Sequence, residues 1–144
     1  FTEWVPRVPN NQREIFENKT KTYFSDFQLY LFNIQGERIV QERNSAPEYH
    51  PITYCSPRYD SLVGFDLYND EIEGPFLRKA RDTAEPSSSP PFLLRGLADT
   101  FKIGMTMYLP LYAINATQVE PTQSLVSLSK QKSPQYWGCI VVVI

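Results

Sequence analysis

A single carboxylate, Asp66, lies inside the otherwise apolar segment "GFDL", directly before a polar turn. Burying a carboxylate is costly without a hydrogen-bond partner, and strands seldom contain Asp, so this residue needs a compensating role. One role is to accept hydrogen bonds from an N–H or O–H group of a ligand. The other role is structural: Asp66 could cap a helix predicted to begin near Asn69, or pair with Arg58 or Arg81.

Other groups that could do chemistry are few. The sole histidine, His50, has no second ligand at metal-binding spacing, which favours a structural role. No nucleophile elbow, phosphate loop or dinucleotide fingerprint occurs, and the serine run at 87–89 has the composition of a loop. We interpret Glu71 and Glu73 as helix-start charges that complement the helix dipole. The sequence therefore predicts no catalytic residue, no metal site and no cofactor.

Composition bounds the remaining functions. A chain of 144 residues is long enough for one domain with a hydrophobic core. Its 14 Lys and Arg against 16 Asp and Glu give a net charge of -2, without a basic stripe, which argues against nucleic-acid binding. No apolar run approaches the roughly 20 residues of a membrane span. The two ends look cut, so we expect an excerpt of a longer protein.

The cysteines and two glycosylation acceptor motifs do not decide which cellular compartment the protein occupies. Cys55 and Cys139 lack the spacing of a zinc or redox motif. They could form a disulfide in an oxidising compartment or remain two buried free thiols. Asn18 and Asn115 each match the glycosylation acceptor pattern, which favours an extracellular setting only weakly.

The first half of the chain predicts a helix followed by short strands. Asn11 and Glu14 have the spacing of a capping box ahead of a helix over about 12–21. Residues 27–34 and the segment "ERIVQER" have strand composition and flank a Gln-Gly pair, which indicates a hairpin. Residues 49–54 predict a third, irregular strand because they contain a proline.

The second half begins with a helix and continues with loops and strands. Helical periodicity starts at Asn69, and the Gly74-Pro75 pair should kink this helix or restart it with the proline in the first turn. The Pro- and Ser-rich residues 85–91 have the composition of an exposed loop. Residues 115–134 have the composition of a connector, and we expect 136–144 to begin a second sheet.

The clearest pattern is strict alternation over 101–114, which predicts a long strand. One face is apolar and the other is mixed, so the mixed face could be solvated or could form the wall of a pocket. The apolar set is Phe101, Ile103, Met105, Met107, Leu109, Leu111 and Ala113. Together with the order of the other elements, this strand predicts an α+β fold with an antiparallel sheet.

Five segments, in this order and spacing, resemble the CHASE domain, the extracellular sensor module of membrane receptors that include the plant cytokinin-receptor histidine kinases. The resemblance extends from about Phe1 to Ala113. Its motifs are Trp4 to Val8 with the following Arg13 and Glu14, Tyr49 to Ile52, Gly64 to Leu67, Ala80 to Thr83, and Leu109 to Tyr112.

The resemblance implies a helical stalk that leads to two tandem PAS-like units. Residues 1–114 would then be the end of the stalk plus the membrane-distal, ligand-sensing unit. Residues 115–144 would be the connector and the first strand of a truncated membrane-proximal unit. The implied function is to sense a small molecule on the extracellular or periplasmic side of the plasma membrane. Flanking segments would anchor the receptor, which would dimerise through the stalk helix.

The resemblance also implies a pocket. In the family, the Asp of the G-F-D segment lines the pocket, which would make Asp66 a ligand acceptor. The ligand-binding residues expected on this basis are Asp66, Phe65, Tyr54, Ser88, Leu93, Met105, Thr106 and Tyr108. Three departures affect pocket size and ligand class: Ala84 replaces a family glycine, "EPSSSPP" replaces the usual strand start, and Gly74-Pro75 interrupts the helix. The alternative is a structural or dimerisation module with a filled core.

Overall fold

The computed structural model describes residues 1–97, 103–113 and 135–144, and within these ranges it is an α+β fold. Its α-helices are α1 (Arg13–Lys21) and α2 (Gly74–Thr83). Its strands are β1 (Thr2–Pro6), β2 (Val8–Pro9), β3 (Tyr30–Phe32), β4 (Arg38–Val40), β5 (Glu48–Tyr49), β6 (Tyr54–Ser56), β7 (Ser87–Ser88), β8 (Phe92–Leu93), β9 (Ile103–Gly104), β10 (Thr106–Ala113) and β11 (Gln135–Val143).

A five-stranded antiparallel sheet in the order β6-β1-β11-β10-β7 forms the centre of the fold. The apolar residues of one face pack against α2 and the segment before it. The core contains Val5, Tyr30, Ile52, Leu62, Phe65, Leu67, Leu77, Ala80, Tyr108, Cys139, Val141 and Val143. A smaller cluster of Val8, Phe27, Leu29 and Tyr49 lies under α1. This architecture agrees with the predicted PAS-like α+β class.

The last strand corrects the predicted division of the chain. The sequence predicts the start of a second unit over 136–144, but β11 pairs with both β1 and β10 and so completes the same sheet. A β-branched strand that is buried on one face is stabilised most when both of its edges pair with neighbouring strands. The described chain begins with strand β1 (Thr2–Pro6), and its first α-helix is α1.

The two helices confirm the predicted segments and change their ends. Helix α1 begins at Arg13 after a short 3-10 turn, and no side chain caps it, so the predicted capping by Asn11 is wrong. Helix α2 begins at Gly74 with Pro75 in its first turn, which confirms the restart rather than the kink. It ends at Thr83 and is followed by Ala84, which has a left-handed φ of 58°. That conformation explains why a glycine suits this position.

The short strands follow the prediction in part. Strands β3 and β4 form the predicted hairpin around Gly36. The single strand expected over 49–54 is two strands, β5 and β6, because the chain between them bridges to Asp66 instead of continuing either pairing. The expected loop over 85–91 contains β7, which forms the edge of the sheet beside β10.

The alternating segment is oriented with its mixed face inward. Thr106 and Tyr108 of β10 are buried, whereas Met107 and Leu109 are only partly buried and Ile103 is 75% exposed. Residues 101, 102 and 114 of the predicted strand lie outside the described residues. The polar side chains of β10 therefore face α2 and are not solvated at Thr106 and Tyr108, while the pocket wall stays a prediction.

The two cysteines are free thiols. Cys55 lies opposite Glu3, and Cys139 lies opposite Val5, on the two strands that flank β1. Strands two positions apart are separated by about 9.5 Å, which exceeds the roughly 7 Å limit between the Cα atoms of a disulfide. The disulfide is therefore wrong, and the buried thiols are confirmed. Asn18 is exposed on α1, and Asn115 lies outside the described residues.

Close backbone packing at Gly64 generates a prediction. Gly64 has φ +93°, and a Cβ atom there would lie 2.1 Å from the Gln28 carbonyl oxygen. Gly64→Ala should lower the free energy of unfolding by about 3 kcal/mol or more, because strain and a backbone clash add. Urea denaturation measures this loss.

The matched control is Gly36→Ala. Gly36 has a similar φ of +78°, but nothing lies within 4 Å of the position that a Cβ atom would take there. Conformational strain alone should cost about 1 kcal/mol at this position. Equal losses in the two variants would show that the contact with Gln28 does not constrain the fold.

Candidate functional site

Asp66 is the centre of the first polar network, and its side chain is fully buried. Oδ1 accepts hydrogen bonds from the backbone N–H groups of His50 (2.8 Å) and Tyr68 (3.2 Å). Oδ2 accepts a hydrogen bond of 2.6 Å from the side-chain amide of Asn69. The carboxylate thus fixes the turn that follows the "GFDL" segment against the chain after β5.

Glu48 continues this network across the fold. Its carboxylate accepts hydrogen bonds from Arg7 (2.9 Å) and Arg81, and it lies 3.1 Å from the His50 ring. Burial alone would raise the pKa of Glu48, but the hydrogen bonds from His50 and Arg7 outweigh it and hold the pKa at about 2. We call Glu48, His50, Asp66 and Arg81 the anchoring network.

His50 is satisfied inside the anchoring network. Its ring stacks on Tyr68 with a centroid separation of 4.6 Å and lies near Tyr136 on the other side. Burial lowers the pKa of His50, against the opposing effect of Glu48, so the neutral ring is favoured. The structural interpretation of this histidine agrees with these contacts.

The contacts of Asp66 match one of the structural alternatives. It bonds the turn at Tyr68 and Asn69 like a cap, and it does not pair with the two arginines considered from sequence. Arg58 bonds Asp60, and Arg81 bonds Glu48. Because the fold already uses both oxygens of Asp66, the ligand role implied by the family resemblance remains a prediction without support from these contacts.

A second network lies between the sheet and α2. The Tyr108 hydroxyl of β10 donates to Glu73, the residue just before α2. The Thr106 hydroxyl lies 2.9 Å from the Tyr108 hydroxyl and 3.1 Å from the Ser89 hydroxyl, and the Thr106 N–H donates to Ser89 at 2.9 Å. All of these side chains are buried. We call this group, together with Glu3, the inner polar cluster.

Glu3 joins the cluster from β1. It shares one row of the sheet with Val141 and Tyr108, and its side chain is on the same inner face as that of Val5. The residue is only 4% exposed. Within the part of the chain that the structure describes, no hydrogen bond reaches its carboxylate. Glu3 is therefore a carboxylic acid that β1 buries on the inner face of the sheet.

The environment keeps both carboxyl groups of the cluster close to neutral. Burial, reinforced by the charge of Glu73, raises the pKa of Glu3 to about 8. Burial also raises the pKa of Glu73 to about 7, although the Tyr108 hydrogen bond opposes it, and the charge of Asp70 adds to the increase. Two nearby carboxyls in a poorly solvated site cannot both ionise readily at neutral pH.

A groove adjoins the inner polar cluster. Asp70 accepts hydrogen bonds from Arg95 (2.6 Å) and from the Glu73 N–H (2.9 Å), and the Arg95 guanidinium lies 5.4 Å from the Phe65 ring centre. The Asp70–Arg95 pair forms part of the wall of a groove of about 330 Å³. We call it the hairpin groove, since it is lined by Phe32, Gly36, Asp70, Ile72, Leu93 and Arg95.

The structure brings together only some of the residues expected to bind a ligand. Thr106 and Tyr108 lie together in the inner polar cluster, Phe65 is buried beside Arg95, and Leu93 lines the hairpin groove. The other expected residues are Tyr54, which is 63% exposed on edge strand β6, Ser88, exposed on β7, and Met105, whose backbone bonds Ile144. Asp66 belongs to the anchoring network.

Three members of the cluster do not stand out in the sequence. The sequence predicts a helix-start charge at Glu73 that complements the helix dipole, but its side chain is buried and accepts a hydrogen bond from Tyr108. Ser89 falls in the predicted exposed loop, although it is buried against Thr106. The available signal for Glu3 is its alternation with Val5, which places a carboxylate at an inward position of a strand.

None of the helices in the described ranges combines the length and the apolar character needed to cross a membrane. In the same ranges, no three His, Cys, Asp or Glu side chains are grouped as the ligands of a metal ion would be.

Comparison with known proteins identifies relatives of the chain. The family model described as the CHASE domain matches residues 2–144. A curated protein of Dictyostelium discoideum, "Hybrid signal transduction histidine kinase A", is 31% identical over 87 residues, which are 59% of this chain. The match covers 4% of the length of that kinase, so the chain corresponds to a small part of it.

The anchoring network predicts a structural effect of Asp66→Ala. The variant leaves the N–H groups of His50 and Tyr68 buried without an acceptor, so the free energy of unfolding should fall by about 3 kcal/mol. Urea denaturation without any ligand measures this loss. Asp26→Ala, at an exposed position, is the control and should change stability by less than about 0.5 kcal/mol. If Asp66→Ala were as stable as the control, Asp66 would not be a structural residue.

The inner polar cluster predicts a pH dependence of stability. Because the pKa values of Glu3 and Glu73 are raised to about 8 and about 7, the folded protein keeps protons that the unfolded chain loses above about pH 4.5. The free energy of unfolding should therefore lose on the order of 5 kcal/mol from these groups together as the pH rises from 5 to 8.

The double variant Glu3→Gln, Glu73→Gln isolates this effect, since glutamine imitates the protonated acid. It should be more stable than the wild type at pH 8 and about equal to it at pH 5. Comparing the two proteins at each pH cancels the opposite contribution of His50, whose lowered pKa costs stability below about pH 6.5. A stability difference independent of pH would contradict the raised pKa values.

Proposed function

Because the chain belongs to the CHASE domain family, we propose that it senses a small molecule as the extracellular part of a transmembrane signalling receptor. The output domain would be a histidine kinase or a nucleotide cyclase, and the relative named as a hybrid signal transduction histidine kinase supports the first. In this proposal the chain itself catalyses no reaction and passes ligand occupancy to the output domain.

The observation that carries the proposal is the inner polar cluster. Burying two carboxyl groups and three hydroxyls between a sheet and a helix costs free energy that apolar side chains of similar volume would not. Glu3 and Glu73 have strongly raised pKa values, and perturbed acids in a partly enclosed site are typical of functional positions. We therefore place the ligand between the inner face of the sheet and the start of α2.

The hairpin groove supplies a route to this place. Its volume of about 330 Å³ is at the lower end of the range for small-molecule sites. Asp70, on its wall, accepts a hydrogen bond from the Glu73 N–H, which ties the groove wall to the residue before α2. Entry would displace or rotate Arg95, which contacts Asp70 through one hydrogen bond and otherwise lies over aromatic rings.

Signal transfer would use the contact between Glu73 and Tyr108. This hydrogen bond links the start of α2 to β10, so a ligand that replaces it changes how α2 packs on the sheet. Such a change would shift the populations of two receptor states rather than drive a reaction. The receptor would act as a homodimer through a stalk helix outside the residues described.

A second candidate is a structural or dimerisation module without a ligand. The contacts of Asp66 favour it, because the carboxylate expected to bind a ligand serves the fold instead. It does not explain why two carboxyl groups with raised pKa values are buried between the sheet and α2. We therefore prefer the sensing function.

A thermal-shift screen of small polar metabolites tests the proposal. A ligand at 100 times its dissociation constant should add about 2.7 kcal/mol and raise the melting temperature by about 5 to 10 °C. Thr106→Val keeps the shape of its side chain but removes the hydroxyl that joins Tyr108 and Ser89, so it should abolish most of this increase.

Exposed Thr22→Val is the matched control and should retain the full increase. Circular dichroism before the screen establishes that both variants are folded. If no compound stabilises the wild type, or if every stabilising compound acts equally on Thr106→Val, the proposed location of the ligand is wrong.

A further inference from the structure

We propose that a cavity between α1 and the β3–β4 hairpin binds a small hydroxycarboxylate, whose carboxylate pairs with Lys21 and Arg43 and whose hydroxyl donates to Gln41. We call it the α1 cavity. Its described lining residues differ from those of the inner polar cluster and of the hairpin groove. The inference therefore adds a second site and does not depend on the proposed function.

One wall of the α1 cavity is a face of helix α1. Arg13, Glu17 and Lys21 are spaced four residues apart, so they lie above one another on the helix surface. Arg13 and Glu17 are buried although both are charged, and Arg13 Nε lies 2.6 Å from Glu17 Oε1. The other guanidinium nitrogens of Arg13 donate to the backbone carbonyls of Gln41 and Glu42. Arg13 thus ties the helix to the chain that follows β4.

The opposite wall belongs to the hairpin and the residues after it. Gln41 and Arg43 line this wall, and the buried side chains of Phe27 and Leu29 supply apolar surface. The Gln41 backbone N–H donates to the Leu29 carbonyl at 2.8 Å, which fixes its position beside β3. The cavity has a volume of about 200 Å³. Because a water molecule occupies about 30 Å³ in the liquid, a ligand of roughly six or seven non-hydrogen atoms fits.

Gln41 contains a buried hydrogen-bond acceptor that the described residues do not use. The residue is only 8% exposed, and no donor of the described chain bonds its side-chain oxygen Oε1. A buried carbonyl without a donor is unfavourable, so a ligand that supplies one is favoured. The last torsion of a glutamine side chain is soft, so the amide can turn Oε1 toward a ligand in the cavity. The first requirement on the ligand is therefore a hydrogen-bond donor.

The charges around the cavity set the second requirement. Its described lining residues include three cations, Arg13, Lys21 and Arg43, against one acid, Glu17, an excess of two positive charges. Glu17 already pairs with Arg13 at 2.6 Å and with Arg43 at 3.1 Å. Arg43 also lies 3.7 Å from Glu14, which is exposed outside the cavity. None of the ion pairs formed by the described residues includes Lys21. This excess favours an anionic ligand.

Together the two requirements select a small hydroxycarboxylate. A carboxylate forms charge-assisted hydrogen bonds with ammonium and guanidinium groups. The donor that reaches Gln41 should be neutral, because an ammonium group would lie among three cations. A hydroxyl group on the carbon next to the carboxylate meets both conditions within the available volume, whereas an acid with an aromatic ring exceeds that volume.

Three probes with the same three-carbon skeleton test the inference: L-lactate, propionate and 1,2-propanediol. Titrating the nitrogen-15-labelled chain and following its amide chemical shifts by NMR measures each dissociation constant and locates the site. L-lactate should bind about tenfold more tightly than propionate, which lacks the donor. 1,2-Propanediol lacks the charge and should not bind at concentrations up to about 50 mM. The largest shifts should include the amides of Lys21 and Gln41.

Variants assign the two contacts. Lys21→Gln should weaken L-lactate binding about fivefold, because it removes a cation that faces the carboxylate. Lys19→Gln is the matched control, since it removes the same charge from an exposed position of α1 outside the cavity, and it should change the affinity less than about twofold. Gln41→Leu removes Oε1, so the preference for L-lactate over propionate should fall from about tenfold to less than about twofold. The probe series on the wild type keeps the test decisive even if Gln41→Leu is unstable.

Contrary results overturn the inference in distinct ways. If propionate binds as tightly as L-lactate, the hydroxyl makes no bond to Gln41 and the ligand class is wrong. If 1,2-propanediol binds as tightly, the positive charges do not select the ligand. If L-lactate binding is unchanged in Lys21→Gln, the site is wrong, and if L-lactate does not bind at all, the cavity holds only water. None of these results bears on the sensing proposal, which Thr106→Val tests separately.

Discussion

Two buried carboxylates, Glu48 and Asp66, fix the segments that carry the rest of the fold. Asp66 binds the backbone N–H groups of His50 and Tyr68, and Glu48 binds Arg7 and Arg81. These acceptors join the chain after β1, the chain after β5, and α2. Because buried donors without acceptors are costly, this arrangement fixes how α2 approaches the sheet. The inner polar cluster exists only because α2 is held in that position, with Glu73 facing Tyr108.

The pKa values of glutamate side chains are shifted in opposite directions in the two networks. The donors around Glu48 hold its pKa at about 2, so it is a permanent anion that belongs to the structure. Glu73 accepts a hydrogen bond from one hydroxyl, and Glu3 accepts none from the described residues. Burial therefore raises their pKa values to about 7 and about 8. The satisfied acids stabilise the CHASE fold as anions, whereas Glu3 and Glu73 are buried at the cost of their ionisation.

Features that depend on local chemistry are predictable from the sequence. Helix α1, the hairpin around Gly36 and the proline in the first turn of α2 follow from periodicity and turn preferences. Thr106 and Tyr108 are expected to bind a ligand through the family resemblance; their hydroxyls lie 2.9 Å apart, and the ligand role stays a prediction. Contacts between distant segments are not predictable in this way. They include the pairing of β11 with both β1 and β10, and the donors that His50 and Tyr68 direct at Asp66. For the same reason, the sequence does not show whether the side chain of Glu73 points into the core or into solvent.

The central claim is that the fold buries Glu3 and Glu73 as acids that keep their protons well above the pH at which the unfolded chain loses them. Carbon-13 NMR of the labelled side-chain carboxyl groups measures this directly, as a titration of each glutamate in the folded domain. We expect both groups to titrate well above the ordinary value of 4.5. Midpoints near 4.5 for both groups would contradict the claim.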